Sequence, residues 1–134
     1  MREIIFRGRR IDNGEWIEGY LFQIWDDAFI LWGTTNGVPN MIKVIPETVG
    51  QYTGMKDKNG KKIFEGDIVR CGHKYKGICG VVNFNMYCFC VKLNAPDAFN
   101  RNNPALDIIE NEYPNEIEII GNIHDNNSED FDEC

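Results

Sequence analysis

Four cysteines and one histidine lie close enough along the chain to suggest metal binding or thiol chemistry. They are Cys71, His73, Cys79, Cys88 and Cys90. Cys88 and Cys90 would project from the same face of a regular strand, because side chains alternate between the two faces. Zinc needs four converging ligands, however, and the C-x-H and C-x-C spacings lack a C-x-x-C pair. We therefore expect reduced structural cysteines, no metal and no cofactor; a zinc site and a reactive thiol are the alternatives.

The sequence lacks the residue patterns of common hydrolases and nucleotide-binding enzymes. Its only serine, Ser128, lies in an acidic stretch, which argues against a Ser-His-Asp triad. No G-x-x-x-x-G-K-[ST] motif occurs. Glu65 and Asp67 could act as a pair of catalytic carboxylates, but Asp67 is better explained as a turn carboxylate that accepts backbone N–H bonds. We therefore expect that this protein is not an enzyme.

Short apolar segments separated by turn residues recur along the chain, and this rhythm predicts β-strands. The predicted strands are residues 3–9, 15–22, 28–32, 41–45, 51–53, 62–64, 67–71, 78–84, 87–93 and 116–123. Asn59-Gly60 is a hairpin signal, because this pair readily takes positive φ. Strands this short, spaced by turns about every 8 to 12 residues, are typical of an all-β sandwich or barrel.

We predict an all-β fold with one domain over residues 1–124. Within it, residues 62–124 would form a small SH3-like barrel, packed with an N-terminal β-hairpin or sheet subdomain over residues 1–61. Aromatic residues of this subdomain are interpreted as core, with a base-stacking platform as the alternative. They are Trp16, Tyr20, Phe22, Phe29 and Trp32.

Two segments do not follow the strand rhythm. Residues 94–115 are rich in proline and asparagine, and Asn103-Pro104 could begin a short helix that covers one end of the barrel. A partner-binding loop is the alternative for this segment. Residues 125–134 are acidic and have few apolar anchors, so we expect a disordered tail.

Three blocks of sequence carry a resemblance to a known family. They are MREIIFRGRRIDNGEWIEGYLF at residues 1–22, IPETVGQYTGMKDKNGKKIFEGDIVR at 45–70 and EIEIIGNIHDN at 116–126. In this order they resemble the signature blocks of the YopX family of phage and prophage proteins. The resemblance implies a phage or prophage origin and a β-rich architecture. It implies no catalytic residues, because no activity is established for the family.

Charge is distributed unevenly, and this bears on possible partners. The net charge is −7, and residues 71–134 carry all of it, with four Lys/Arg against eleven Asp/Glu. An acidic chain is a poor candidate for a protein whose main task is to bind a phosphate backbone. No apolar run approaches the roughly 18 residues of a membrane helix. We expect no membrane association and a location in the cytoplasm of a bacterial host cell.

Two classes of function fit these observations. The first is a non-catalytic protein-interaction or assembly module that binds a phage or host protein and forms homo-oligomers. The second is a nucleic-acid-binding small barrel, in which basic residues flank exposed aromatics such as Tyr52. The basic residues of this second hypothesis are Arg7, Arg9, Arg10, Lys56, Lys58, Lys61 and Lys62. The first class is favoured because the chain is acidic overall.

Overall fold

The computed structural model describes residues 3–71, 79–85, 88–93, 104–106, 109–110 and 116–125. His73, Asn103 and the predicted tail beyond Asp125 lie outside the described residues. The strands are β1 Phe6–Arg9, β2 Trp16–Ile24, β3 Asp27–Thr35, β4 Val38–Val44, β5 Gly50–Lys56, β6 Lys62–Phe64, β7 Asp67–Arg70, β8 Cys79–Asn85, β9 Cys88–Leu93 and β10 Glu118–Asn122. A 3-10 turn at Pro46–Thr48 lies between β4 and β5. The predicted all-β fold is therefore confirmed.

The chain divides into two compact units, Met1–Gly54 and Met55–Cys134. In the first unit the strand order is β4-β3-β2-β1-β5. In the second unit the order β10-β7-β8-β9 forms an open antiparallel sheet, and β6 precedes it in the chain. The described strands of the second unit do not close into a barrel, so the SH3-like form stays a prediction.

Tight turns join the strands of the first unit. Asn36 and Gly37 both have positive φ between β3 and β4, as a two-residue hairpin of this sequence requires. One face of this sheet is covered by an apolar cluster, which consists of Ala28, Ile30 and Val44 with Phe6, Ile17, Leu21, Ile42 and Val49 packed against them. The members in β2, β3 and β4 are separated by an even number of residues within each strand, because side chains alternate between the two faces.

The second unit has a separate apolar core that joins β-strands to residues after Pro104. Its buried members are Ile63, Val69, Cys71, Val82, Val91, Leu93, Leu106, Ile109 and Ile117. The N–H of Ile109 donates to the carbonyl of Ala105 at 3.2 Å. This is the i to i−4 bond of an α-helix, as the sequence predicts for this segment.

Asp57 fixes the β5–β6 hairpin loop to a strand far along the chain. Its carboxylate accepts hydrogen bonds from the backbone N–H groups of Asn59 and Lys61, each at 2.9 Å, and of Ile119 at 3.0 Å. Burial alone would raise the pKa of Asp57. The three N–H bonds outweigh it, so this pKa lies below its ordinary value.

Asp67 has a similar role at the turn between β6 and β7. The carboxylate is buried and accepts the N–H of Phe64 at 2.8 Å and the side-chain amide of Asn122 at 3.1 Å. Gly66, directly before it, has a φ of +88° that other residues rarely adopt. The interpretation of Asp67 as a structural turn carboxylate is therefore confirmed.

We predict that Asp57→Asn lowers the free energy of unfolding by about 2 kcal/mol at neutral pH, because an amide oxygen cannot accept all three buried N–H bonds. The folded pKa of Asp57 is lowered, so its contribution is present above the unfolded pKa of about 3.9 and is lost as the pH falls through the folded pKa. Urea unfolding of both proteins, measured at several pH values, should show the difference shrinking in acid.

The exposed Asp12, which pairs with Arg10, provides the control. Asp12→Asn should leave the urea midpoint unchanged, because surface ion pairs contribute little. An Asp57→Asn deficit that stays constant down to acid pH would contradict the assigned role of the charged carboxylate.

Candidate functional site

One face of the first-unit sheet carries apolar side chains that the core does not cover. Strand register places Tyr20, Leu31 and Met41 in one row across β2, β3 and β4, and Phe22, Phe29 and Lys43 in the next. Arg7 and Arg9 of β1 lie on the same face, opposite Glu18 and Trp16. We call this surface the open face; its residues are Arg7, Arg9, Trp16, Glu18, Tyr20, Phe22, Ile24, Asp27, Phe29, Leu31, Met41 and Lys43.

The open face is accessible to solvent at its centre. Tyr20 is 65% exposed, Phe22 47% and Met41 50%. The interpretation of the aromatic residues as core is therefore wrong for Tyr20 and Phe22, and also for Trp32, which is exposed as well. Strand β2 has apolar residues at both odd-numbered and even-numbered positions, so its sequence alone does not show which face of the strand is covered.

Trp32 lies where the pairing of β3 with β4 shifts. Leu31 pairs with Met41 and Gly33 with Asn40, so Trp32 is the extra residue of a β-bulge. A bulge locally increases the twist of a strand and turns a side chain away from its regular position. The bulge therefore explains why strand alternation does not place Trp32 in the core.

Trp25 is at the tip of the β2–β3 hairpin and is 95% exposed. Its φ is +52°, a left-handed value that is unusual for a bulky residue. Trp25 is not among the functional residues predicted above. The signal was available, since an apolar residue preceded by Ile24 and followed by Asp26 and Asp27 interrupts the strand pattern.

Trp16 lies beneath two arginine side chains at one end of the open face. The guanidinium carbon of Arg7 is 4.5 Å from the ring centroid, and that of Arg9 is 4.9 Å away. Arg9 also donates from Nη1 to the carbonyl of Gly14 at 3.0 Å, and its backbone N–H donates to the hydroxyl of Thr48 at 2.9 Å. Cation–π attraction holds both guanidinium groups against the Trp16 ring, and the hydrogen bonds further restrain Arg9.

Two other residues of the predicted basic set have acidic partners. Arg10 pairs with Asp12 at 2.6 Å, and this hydrogen bond raises the pKa of Arg10 and lowers that of Asp12. Lys58 pairs with Glu118 at 2.9 Å, which lowers the pKa of Glu118.

The remaining basic residues, Lys56, Lys61 and Lys62, belong to the second unit and lie beside the β5–β6 loop. Lys56 and Lys61 are exposed, and Lys62 is half-buried. Tyr52, expected to be an exposed aromatic in the nucleic-acid hypothesis, is buried, so that expectation is wrong. The predicted basic residues thus belong to separate groups with different partners.

The cysteines differ among themselves in their chemical state. Cys71, Cys88 and Cys90 carry thiols. Cys79 is disulfide-bonded, so the expectation of uniformly reduced cysteines is wrong at this position. Spacing along a chain does not show which sulfurs the fold brings together. Among the described residues, no three His, Cys, Asp or Glu side chains are placed to hold a metal ion.

Comparison with known proteins gives a family match. The family model described as YopX protein matches residues 6–129. No curated protein matches the chain. In the part of the chain that the structure describes, no helix is both long and apolar enough to cross a membrane.

We predict that Trp25→Gly raises the free energy of unfolding by about 0.5 kcal/mol. Removing the backbone strain of a bulky residue with left-handed φ stabilises the folded chain by about 1 kcal/mol. Glycine loses more backbone entropy on folding, and this offsets about half of the gain. Because Trp25 is almost fully exposed, little burial is lost. Urea unfolding measures the change.

Trp25→Leu is the matched control, because it removes the indole ring but keeps a side chain at the same backbone position. It should give no gain in stability. An equal gain in stability from both substitutions would show that the effect comes from loss of the indole ring and not from removal of backbone strain.

Proposed function

This chain belongs to the YopX protein family, and we propose that it is a non-catalytic assembly module whose open face binds a second copy of the same chain. The observation that carries the proposal is the exposed group of Tyr20, Phe22 and Met41 at the centre of the open face, between charged ends. The proposal includes a phage or prophage origin and the cytoplasm of a bacterial host as the location, both supported by the family resemblance.

The size and composition of the open face support an interaction role. Strand β2 runs about 26 Å from Trp16 to Ile24, and three strands are roughly 14 Å wide, so the projected area is on the order of 350 Å². This area includes the charged residues at its ends, and an apolar patch of roughly a few hundred Å² on the surface of a monomer is often functional. Aromatic and arginine side chains are also the residues that dominate binding energy in interfaces.

Charge placement favours a second copy as the occupant. Arg7 and Arg9 lie at one end of the open face, and Asp26 and Asp27 lie at the other end of β2, beyond the apolar centre. A two-fold axis that lies in the plane of the interface and crosses the strands at that centre would bring the arginine end of one copy to the aspartate end of the other. Such a self-complementary patch is what a two-fold interface requires.

Two features limit the strength of this charge complementarity. Glu18 is opposite Arg7, and Lys43 pairs with Asp27 at 3.2 Å. The contribution of the charged ends is therefore to orient the two copies, while the apolar centre supplies most of the affinity. We expect a moderate affinity rather than an obligate dimer, because the patch is smaller than a standard interface.

Nucleic-acid binding stays a prediction with less support. Arg10 and Lys58 have acidic partners, and the first unit as a whole is acidic, with five Lys/Arg against seven Asp/Glu over residues 1–54. Exposed aromatics could stack on bases, but a platform for single strands also needs a positively charged groove along the backbone. The charges beside the aromatic row are mixed in sign.

We predict that Phe22→Lys weakens self-association at least tenfold, because it places a charge in the apolar centre of both copies. Sedimentation equilibrium of the purified chain over a range of concentrations measures the dissociation constant. Val38→Lys is the matched control, since Val38 is also an exposed apolar residue but occupies a position of β4 that alternates with the open-face residues. It should leave the dissociation constant unchanged.

A charge exchange tests the proposed two-fold arrangement. Arg7→Glu and Asp26→Lys should each weaken self-association, and the double variant should recover most of the loss. A wild-type chain that stays monomeric at all concentrations would overturn the proposal. Binding of single-stranded DNA that falls steeply with salt and is abolished by Phe22→Lys would assign the open face to nucleic acid instead.

A further inference from the structure

Cys88 and Cys90 form a close pair of thiols on β9. Their sulfur atoms are 3.5 Å apart, and the Cys90 sulfur is also 3.7 Å from the carbonyl oxygen of Cys88. Cys88 is half-buried, whereas Cys90 is buried. The sequence expectation that both project from one strand face is therefore confirmed, and one thiol is more accessible than the other.

The spacing along β9 allows a disulfide to close, but with strain. Two residues of extended strand separate the Cα atoms by roughly 6.6 Å, close to the upper limit of about 6.8 Å found in disulfides. The sulfurs would need to approach from 3.5 Å to about 2.05 Å. Strained disulfides are more easily reduced than relaxed ones, which makes such a bond reversible.

The strand around the pair is held from its opposite face. Phe89, between the two cysteines, packs against the second-unit core and meets Phe84 edge to face, with ring centroids 5.2 Å apart. Cys90 pairs with Asn83 of β8, and its backbone also forms an isolated antiparallel β-bridge with Ala105. Closure of a disulfide on the outer face would thus increase the pleat of β9 without uncovering Phe89.

We propose that Cys88 and Cys90 form a dithiol site that reacts reversibly with low-molecular-weight disulfides of the glutathione type. The Cys88 thiolate attacks one sulfur of glutathione disulfide, which forms a mixed disulfide and releases one glutathione thiolate. The Cys90 thiolate then attacks the Cys88 sulfur, forms the Cys88–Cys90 disulfide and releases the second glutathione. The two thiol protons end on the two glutathione molecules, so the dithiol is oxidised and the glutathione disulfide is reduced.

Order of attack follows from exposure. A thiolate must reach the incoming disulfide, and Cys88 is the more accessible sulfur of the pair. Cys90, which lies only 3.5 Å from the Cys88 sulfur, is placed to resolve the mixed disulfide within the molecule. An intramolecular step of this kind outcompetes a second molecule of glutathione because of its high effective concentration.

The test equilibrates the native full-length chain in buffers of reduced and oxidised glutathione, alkylates the remaining thiols and locates each modification by fragmentation mass spectrometry. The wild-type chain should lose the Cys88 and Cys90 thiols together, with no stable glutathione adduct. Cys90→Ser should accumulate one glutathione on Cys88. Cys88→Ser should react at Cys90 at least tenfold more slowly, because Cys90 is buried.

Cys71 and Cys79 act as internal controls in every sample. The buried Cys71 thiol should stay unmodified, which reports that the chain is folded. The Cys79 disulfide should stay intact in all variants. If it does, loss of the Cys88 and Cys90 thiols is not caused by exchange at Cys79. The proposal is overturned if the wild-type protein stops at a glutathione adduct on Cys88, or if Cys88 forms a disulfide with Cys79. It is also overturned if both thiols of the wild-type protein persist in strongly oxidising buffer and the Cys90→Ser variant does not react either.

Discussion

The register of β2 between β1 and β3 decides which side chains of the first unit are covered. Gly8 pairs with Ile17 and Leu21 with Ile30, and these pairs face the apolar cluster. Because the period of a strand is two, a slip of one residue would exchange the covered set for the aromatic set. Gly19 reinforces the register, since a Cβ there would collide with the Leu31 carbonyl of β3.

The second unit depends on two buried carboxylates in a comparable way. Asp57 and Asp67 each lie in a turn and connect that turn to β10, which comes more than fifty residues later in the sequence. A buried carboxylate is costly unless several donors meet it, so each site is stable only when the distant partner is in place. The two aspartates therefore couple local turns to the long-range pairing of β7 with β10.

Local chemistry explains why much of the fold could be predicted from sequence. Turn residues such as Asn36-Gly37 and Gly60 set strand ends, and the short-range role of Asp67 followed from its place after Gly66. The covered face of β2 could not be predicted, because both parities are apolar and the choice depends on strands that pair later. The same applies to the N–H bond from Ile119 to Asp57, which no local pattern indicates, and to the arginines over Trp16 at the candidate site.

The contacts of Trp16 bear on what the open face can recognise. A ring already covered by the guanidiniums of Arg7 and Arg9 offers less surface for base stacking. Those guanidiniums are weakly hydrated and held in place, which lowers the entropy lost when they enter a protein interface. Tyr20 and Phe22, farther along β2 on the same face, continue this surface with aromatic rings. Arginine side chains beside exposed aromatics are common in protein–protein hot spots, and in the proposed two-fold arrangement the aspartates at the far end of β2 would be their electrostatic complement.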